Sequence, residues 1–442
     1  MPQWRVISVD CDAWRRRVIS MHVLILVSIA WILPSTPVRA ETLPSPLPLS
    51  WCLARAADSN PSIAAEEALQ QAAFERVVQA GALEDPRIRY EAVNVPVGDL
   101  NFSSTPMSGN QFGLSQRVPF PGTLANRKAA AAAAASGAAF GRQNRERWVA
   151  AAVEGAWAEL GFAQRALGIT LRNIDLLRQL SQIAEARYRV GTGVQQDVLR
   201  AQVELTALID ERLGREAAVE NASARLAELL DVSAETRFPE TASLEDESAV
   251  PELPELTRSF ETANPQLLGL KSEIEAARRS IRVARFEGYP DFDFGVGYRI
   301  RDSVEGDPVE GDDFLAASVT VRLPLNRSKW RARVAERQAL LRRSEAAYRG
   351  TRAALLAMLR TAHAELVRAD SALALLRTGL IPQARQSLGS SRSGYEVGRV
   401  DFLSLLDSQV RLFGAELRLA RTEADRRQAY AMLESAVGEV LR

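Results

Sequence analysis

Alternation of apolar and polar residues predicts two β-hairpins in this chain. Between Phe292 and Ile300 every second residue is apolar, and segment 314–325 alternates in the same way. A period of two is the pattern of a strand with one apolar face. We therefore expect strands at about 289–300 and 314–325, joined by the acidic, glycine-containing loop 301–313.

A second, less regular pair of strands is expected at about 87–97 and 110–120, with a change of phase near Ala92. Taken alone, alternation favours a strand with one face on a soluble core. Each segment, however, is near the length that a tilted transmembrane strand needs. Two isolated hairpins among long helices, with no other sheet to cover them, favour the membrane interpretation.

Two very long helical stretches follow the hairpins. No proline occurs from about Thr123 to Arg189, and Pro382 alone interrupts 328–393. At 1.5 Å per residue such stretches extend about 100 Å. Shorter helical segments at 194–230 and 402–441 provide antiparallel return strokes, so we expect a coiled-coil-like helical bundle.

The chain contains an internal duplication. The phrase Tyr-x-x-Gly at 188–191 recurs 207 residues later at 395–398, and the Asn-Pro pair at 60–61 recurs at 264–265. A fixed offset of this kind indicates a repeated structural unit. Each Tyr-x-x-Gly phrase lies between two helical segments, which predicts the same helical hairpin twice, with tips near 188–194 and 395–401.

These patterns divide the chain into two repeats, 41–230 and 256–442, joined by segment 231–255. The joining segment is acidic and contains three prolines, so it is predicted to be a linker or equatorial segment. Residues 1–40 resemble a secretory signal peptide, with three arginines, an apolar run and a small residue at Ala40 for cleavage. An uncleaved anchor and a start at Met21 are the alternatives for this segment.

Loss of the signal segment would remove Cys11 and leave Cys52 alone, so no intramolecular disulfide is expected. Lipidation of Cys52 is an alternative to packing in a helix, but Trp51 is a poor neighbour for a lipidated cysteine. Lys+Arg and Asp+Glu are 55 each, which gives no support to a nucleic-acid partner. A mean hydropathy of −0.12 argues against a bundle of transmembrane helices.

No catalytic or cofactor motif is present. His22 lies in the predicted signal segment and His363 is isolated in a helix, where packing is the simplest role. The sequence holds no Walker A, Cys-x-x-Cys or His-Glu-x-x-His pattern. We therefore expect no enzymatic activity, no cofactor and no metal site, and energy for any transport would come from a partner.

The ordered series of features is more specific than any one of them. A signal segment, an Asn-Pro helix end, a strand pair, a long helix and a Tyr-x-x-Gly tip followed by Asp-Val-Leu-x-Ala-Gln at 197–202 occur, and most of the series repeats. In this order the chain resembles the TolC-like outer-membrane efflux protein family. The resemblance implies an α+β membrane protein in which three protomers each supply four strands to a 12-stranded outer-membrane β-barrel, continuous with a long periplasmic α-helical coiled-coil barrel.

The resemblance also implies a function and partners. Family members are passive channels that work with a periplasmic adaptor protein and an inner-membrane pump, for which the proton-driven resistance-nodulation-division type is one option. Outer-membrane lipid is a further partner. Segment 119–122, Pro-Phe-Pro-Gly, resembles the heavy-metal efflux branch, although Thr123 stands where lysine is usual; a simple strand-to-helix corner explains the motif equally well.

The hairpin tips are the candidate site that the resemblance implies. Tyr188, Gly191, Tyr395 and Gly398 match the turn residues of the family, where the tips meet the adaptor. Glycine suits a helix end because it accepts a positive φ and lets a partner approach closely. The structural alternative is that the tyrosines pack and the glycines turn, without any partner.

Acidic residues near the tips match a constriction in the family. Asp197 and Asp407 would form a ring of carboxylates across three protomers, which favours cations. Ser404 replaces an acid seen in some members, and Arg399 is a candidate counter-charge that holds the gate shut. A solvated helix face explains both acids as well.

The predicted function is the outer-membrane channel of a tripartite efflux system, exporting heavy-metal cations or small drugs. The outer-membrane component of a type I protein secretion system is one alternative. A soluble periplasmic scaffold of long helices, with the β-hairpins packed on a partner, is another.

Overall fold

A computed structural model describes residues 43–98, 101–102, 105–244 and 249–441. The predicted signal segment, residues 1–40, lies outside the described residues. In the described part of the chain, no helix is long and apolar enough to cross a membrane.

Both repeats contain the same series of elements. The first repeat has α1 (Leu49–Ser59), α2 (Pro61–Gly81), β1 (Arg87–Val93), β2 (Gly109–Val118), α3 (Thr123–Arg189) and α4 (Gln195–Leu230). The second has α5 (Leu253–Ala263), α6 (Pro265–Phe286), β3 (Asp291–Ile300), β4 (Phe314–Arg322), α7 (Arg327–Leu375), α8 (Ile381–Glu396) and α9 (Phe402–Val437).

The repeated asparagines explain why the duplication extends beyond the tips. Asn60 caps α2 by accepting from Ser62 N at 3.0 Å, and its Nδ2 donates to Leu229 O at 2.8 Å. Asn264 caps α6 and donates to Ala436 O at 2.8 Å. Each asparagine therefore hydrogen-bonds a free N–H group at the start of one helix and a free C=O group at the end of another, which joins the two helices.

The long helices differ in their continuity. Helix α3 runs without a break for 67 residues, about 100 Å at the α-helical rise. The second long stretch contains a π-helical turn, Leu376–Leu380, between α7 and α8, in which Ile381 N donates to Leu376 O. Proline lacks an N–H and clashes with the preceding turn, so this turn adapts the helix to Pro382 without ending it.

The four strands form one antiparallel sheet in the order β1-β2-β3-β4. Strand β1 is shorter than the expected 87–97. It ends at Val93 because Asn94 takes a φ of 54°, and Asn94 Nδ2 then donates to Met107 O at 3.2 Å. The other strands begin or end within three residues of the expected positions.

The register places apolar side chains on one face of the sheet and polar ones on the other. Ile88, Leu114, Val296 and Ala317 are aligned across the four strands, whereas the neighbouring row is Arg87, Ser115, Gly295 and Ser318. The apolar face is open in the single chain: Ile88 is 82% exposed and Leu315 79%.

The described residues of segment 231–255, which joins the two repeats, contact other elements of the chain. Thr241 forms a parallel bridge with Leu47, and Gln164 of α3 bonds both Thr241 N and Pro239 O at 3.0 Å. Leu244 is buried. Its last residues belong to α5, and residues 239–244 pack along α3.

Cys52 lies inside α1 and is fully buried. Burial raises the pKa of its thiol to about 12, so the thiol is neither accessible nor ionised at neutral pH. This location agrees with the packing interpretation of Cys52. His363 is half-buried, and its Nε2 is 3.0 Å from Pro251 O, which connects the residues just before α5 to α7.

Two hydrophobic clusters stabilise the helical part. One cluster lies where α9 ends and joins α5, α6, α7 and α9 around Phe260, Leu366 and Tyr430. The other lies behind the hairpin tips and joins α3, α4, α8 and α9, with Leu177 and Leu180 fully buried. Truncating such a leucine to alanine costs about 2–5 kcal/mol, so the tips are held by packing.

Candidate functional site at the hairpin tips

The two tips have the same backbone turn. Gly191 and Gly398 both take a φ of 76°. In the first turn Thr192 N donates to Arg187 O at 2.9 Å, and in the second Arg399 N donates to Gly394 O at 2.8 Å. A hydrogen bond from the N–H of residue i+5 to the C=O of residue i, around a residue in the left-handed conformation, is a Schellman-type helix end. Glycine adopts the left-handed conformation without strain.

The turns exchange the position of a second small residue. In the first, a Cβ on Gly193 would lie 3.0 Å from the Cβ of Arg187; in the second, a Cβ on Gly394 would lie 2.5 Å from Cγ2 of Val400. Gly394 is the counterpart of Arg187, and Val400 that of Gly193. Each turn therefore has room for one side chain at the point where its first and last residues meet. In the first turn Arg187, the first residue, fills this space, and in the second turn Val400, the last residue, fills it.

The two tyrosines occupy different environments. Tyr395 is 3% exposed and packs on Phe402, with ring centroids 5.4 Å apart, whereas Tyr188 is 47% exposed. Tyr395 Oη donates to Asp197 Oδ2 at 3.3 Å. Burial, and secondarily the negative charge of Asp197, raises the pKa of Tyr395 to about 12. The hydroxyl thus stays protonated and joins the second tip to α4.

Arg187 is the tip residue that sequence reasoning missed. Its guanidinium lies 4.7 Å from the centre of the Tyr395 ring, and it donates to Tyr395 O and to Thr192 O. One arginine therefore contacts both turns. The available signal was the difference between the copies, since a long cation precedes Tyr188 where glycine precedes Tyr395.

The predicted gate residues are not brought together within one chain. Asp197 is half-buried beside Tyr395, but Asp407 is exposed and pairs with Arg411 of its own helix at 2.7 Å. Arg399 is exposed and forms no ion pair within the described residues. The prediction that Arg399 holds the gate shut by an ion pair would therefore need an acid from a second chain.

The second tip has an acidic cap that the first lacks. Asp401 accepts from Ser404 N at 2.7 Å and begins α9, and these hydrogen bonds with Ser404 hold the pKa of Asp401 below its usual value. The counterpart of Asp401 is Val194, which gives α4 no side-chain cap. Ser404, which stands where some family members have an acid, thus helps to begin α9.

Exposed apolar residues surround both turns. Val190 is 72% exposed and its counterpart Val397 is 68% exposed. Val194 and Leu403 are also more than half exposed. The end of the hairpins therefore has an apolar tip surface beside the exposed charges of Arg189, Arg399 and Asp401. This surface was missed because valines in a turn resemble ordinary packing residues.

Comparison with known proteins identifies the chain's relatives. The profile described as outer membrane efflux protein matches residues 52–231 and 257–439, which is most of the chain and corresponds to its two repeats. The chain belongs to the outer membrane efflux protein family. The predicted resemblance is therefore confirmed.

Members of this family are similar to the chain in sequence and in fold. The cobalt-zinc-cadmium resistance protein CzcC of Cupriavidus metallidurans is 24% identical over 277 residues, which cover 62% of this chain and 64% of CzcC. The alignment thus spans less than two thirds of that relative.

The same fold occurs in solved structures of outer-membrane channels. CusC superposes with a TM-score of 0.74 at 14% identity, covering 89% of this chain and 92% of CusC. The open state of the Neisseria gonorrhoeae MtrE outer membrane channel gives a TM-score of 0.74 at 17% identity, covering 89% of each chain. At such identities the likeness shows the fold of this family member.

Proposed function

We propose that this efflux-family chain is an outer-membrane channel, a passive conduit from the periplasm to the exterior. The observation that carries the proposal is the sheet. Its apolar residues line one face in register and are exposed, and three of its four strands have nine or ten residues, the length of tilted membrane strands, while β1 has seven.

Three copies are proposed to close the barrel. In the described chain β1 and β4 are open edges of a four-stranded sheet. Unpaired strand edges are not tolerated in hydrocarbon, and four strands do not close on themselves. A trimer would pair β1 of one copy with β4 of the next and give twelve strands; the number three follows the family.

The helices would form the periplasmic part of the conduit. Helix α3 is long enough to extend about 100 Å from the membrane. A periplasmic adaptor and an inner-membrane pump would supply substrate and energy, and the chain itself would do no chemistry.

Metal cations are the proposed first class of cargo. The support is the relationship to CzcC, whose name describes cobalt, zinc and cadmium resistance. Small drugs are the second class and a secreted polypeptide is the third. Export assays in cells that lack their own channel, with zinc, a cationic dye and a polypeptide substrate in parallel, would rank the three.

The apolar tip surface is the proposed adaptor contact. We assign the contact to Tyr188, Gly191 and Gly398, together with the exposed Val190 and Val397. Tyr395, also expected there, is buried against Phe402 and Asp197 and therefore supports the turn from inside. Replacing Val190 and Val397 by glutamate should abolish crosslinking to the adaptor without changing trimer assembly; normal crosslinking would remove these residues from the contact.

The constriction is proposed to use Asp197, Arg399 and Asp407. Three copies would bring three Asp197 and three Asp407 carboxylates towards the axis, and Arg399 would pair with an acid of a neighbouring copy. Bilayer conductance of an Asp197→Ala, Asp407→Ala channel should show a lower preference for cations. Unchanged selectivity would argue against the carboxylate ring.

Fractionation tests the whole proposal. The full-length protein should be recovered from outer membranes as a detergent-soluble trimer that conducts ions in a planar bilayer. A soluble periplasmic monomer would instead support the scaffold alternative.

A further inference from the structure

A cavity of about 280 Å³ lies where the sheet meets the long helices. It is lined by Thr123, the first residue of α3, by Arg322, the last residue of β4, and by Trp330 in the first turn of α7. It is far in sequence from the hairpin tips, and the proposed conduit does not use it.

Two hydrogen-bond donors in this cavity have no partner in the described part of the chain. Thr123 is 2% exposed, and its hydroxyl has no hydrogen-bond partner among the described residues. The indole N–H of Trp330 is also buried and unpaired within the same ranges. Buried donors without a partner are uncommon and unfavourable, which indicates that something outside the chain accepts from them.

The charges around the cavity favour an anion. Four arginines line it against two carboxylates: Arg117, Arg127, Arg322 and Arg333, with Glu287 and Asp291. Arg117 is neutralised by Asp291 at 2.6 Å and by Glu84 at 2.9 Å. Glu287 is shared by Arg333 at 2.7 Å and Arg127 at 3.7 Å. Arg322 is exposed and forms no ion pair in the described part of the chain, so one full positive charge remains available.

The start of α3 adds to the same potential. Gly122, with a φ of 90°, precedes the helix and provides no side-chain cap. The partial positive charge of a helix N-terminus favours an anion there. Together with the buried hydroxyl and the indole, this end presents donors and positive charge to one small volume.

We propose that the cavity binds a phosphate group. Phosphate oxygens accept from a hydroxyl, an indole N–H and a guanidinium at once, and the indole of Trp330 and the guanidinium of Arg322 can only donate, which favours an anion over a cation. Two sources share this chemistry, an anionic lipid headgroup and free phosphate. The lipid source rests on the proposed function, which places the junction of sheet and helices at the depth of the headgroups, where tryptophan and tyrosine are enriched.

Binding of defined probes to the full-length protein tests the proposal. The protein would be purified in dodecyl maltoside, which has no phosphate, and mixed with phosphatidylglycerol, inorganic phosphate or the phosphate-free lipid diacylglycerol. Native mass spectrometry would count bound lipid, and thermal unfolding would report protection by each probe. The variant is Thr123→Val with Arg322→Ala; the control is Arg349→Ala, an exposed arginine elsewhere on α7.

The variant should bind its probe at least tenfold more weakly than the wild type, because each lost hydrogen bond to a charged group weakens binding by about that factor. Loss of phosphatidylglycerol binding supports a lipid source, and loss of phosphate protection supports free phosphate. Either result requires that the control bind normally.

Three results would overturn the proposal: neither phosphate probe binds, both bind the variant as well as the wild type, or diacylglycerol binds as tightly as phosphatidylglycerol. Bilayer conductance of the same samples keeps the two proposals apart. A channel that conducts normally but binds no phosphate probe would remove the site alone, and phosphate binding by a non-conducting protein would remove the channel alone.

Discussion

The two hairpin tips have one backbone and two kinds of surroundings. Both turns place glycine at a φ of 76°, but Tyr188 is 47% exposed and Tyr395 is 3% exposed. The second tip is covered by Arg187 from the first, bonded to Asp197 and capped by Asp401. Duplication therefore preserved the turn, whereas the contacts between the copies left the first tip exposed and buried the tyrosine of the second.

Truncating the two tyrosines should give the largest difference. Tyr395→Ala removes a buried aromatic ring and should cost about 3 kcal/mol of local stability, whereas Tyr188→Ala should change it by about 0.5 kcal/mol or less. Amide hydrogen exchange of residues 174–184 and 402–409 measures this local opening. Exchange should be about a hundredfold faster in the first variant only. Equal exchange in both variants would contradict the difference between an exposed Tyr188 and a buried, stabilising Tyr395.

Filling the space at Gly394 should give the next effect. In Gly394→Ala the new Cβ meets Val400, which should destabilise the second turn by about 1–2 kcal/mol, and Val400→Gly should restore much of the loss. The control is Gly389→Ala in the same helix, where the space is open and alanine should stabilise by about 0.5–1 kcal/mol. Additive effects in the Gly394 and Val400 pair would exclude the proposed exchange of small residues.

Removing the cation that joins the tips should have a smaller effect. Arg187→Met keeps the aliphatic length but loses the hydrogen bonds to Tyr395 O and Thr192 O, at a cost of about 1 kcal/mol. Spin labels on Thr192 and Arg399 would report a broader distance distribution between the two turns. Arg189→Met, an exposed arginine two residues later, should leave the distribution unchanged.

Ionisation of Tyr395 should give the smallest and most specific signal. Because the folded state raises its pKa from 10.0 to about 12, the contribution of the neutral phenol is complete below pH 10 and is lost as pH rises towards 12. Carbon NMR of labelled tyrosine, assigned with Tyr395→Phe, would follow this titration. Asp197→Asn should lower the pKa but leave it above 10.0, since burial is the larger cause. A return to the ordinary value would assign the shift to Asp197 instead.

Much of the fold could be predicted because its signals are local. The absence of proline predicted α3, and the alternation at 291–300 predicted β3 and its apolar face. Strand β1 was overestimated because a left-handed Asn94 ends it. The sequence predicted that Pro382 interrupts the second long helix, but not the form of the interruption, a π-helical turn, because a proline in a helix can be accommodated by a kink, a break or a bulge.

At the tips the sequence by itself determined the turn. Glycine is the residue that takes a positive φ freely, and it stands at the same place in both copies. Only the tertiary structure decided that Tyr395 is buried while Tyr188 is exposed, that Arg187 crosses between the turns, and that Asp197 has a phenol as its partner. The physical reason is that burial and electrostatic contact depend on groups about 200 residues away in the chain, and no local pattern records their distance.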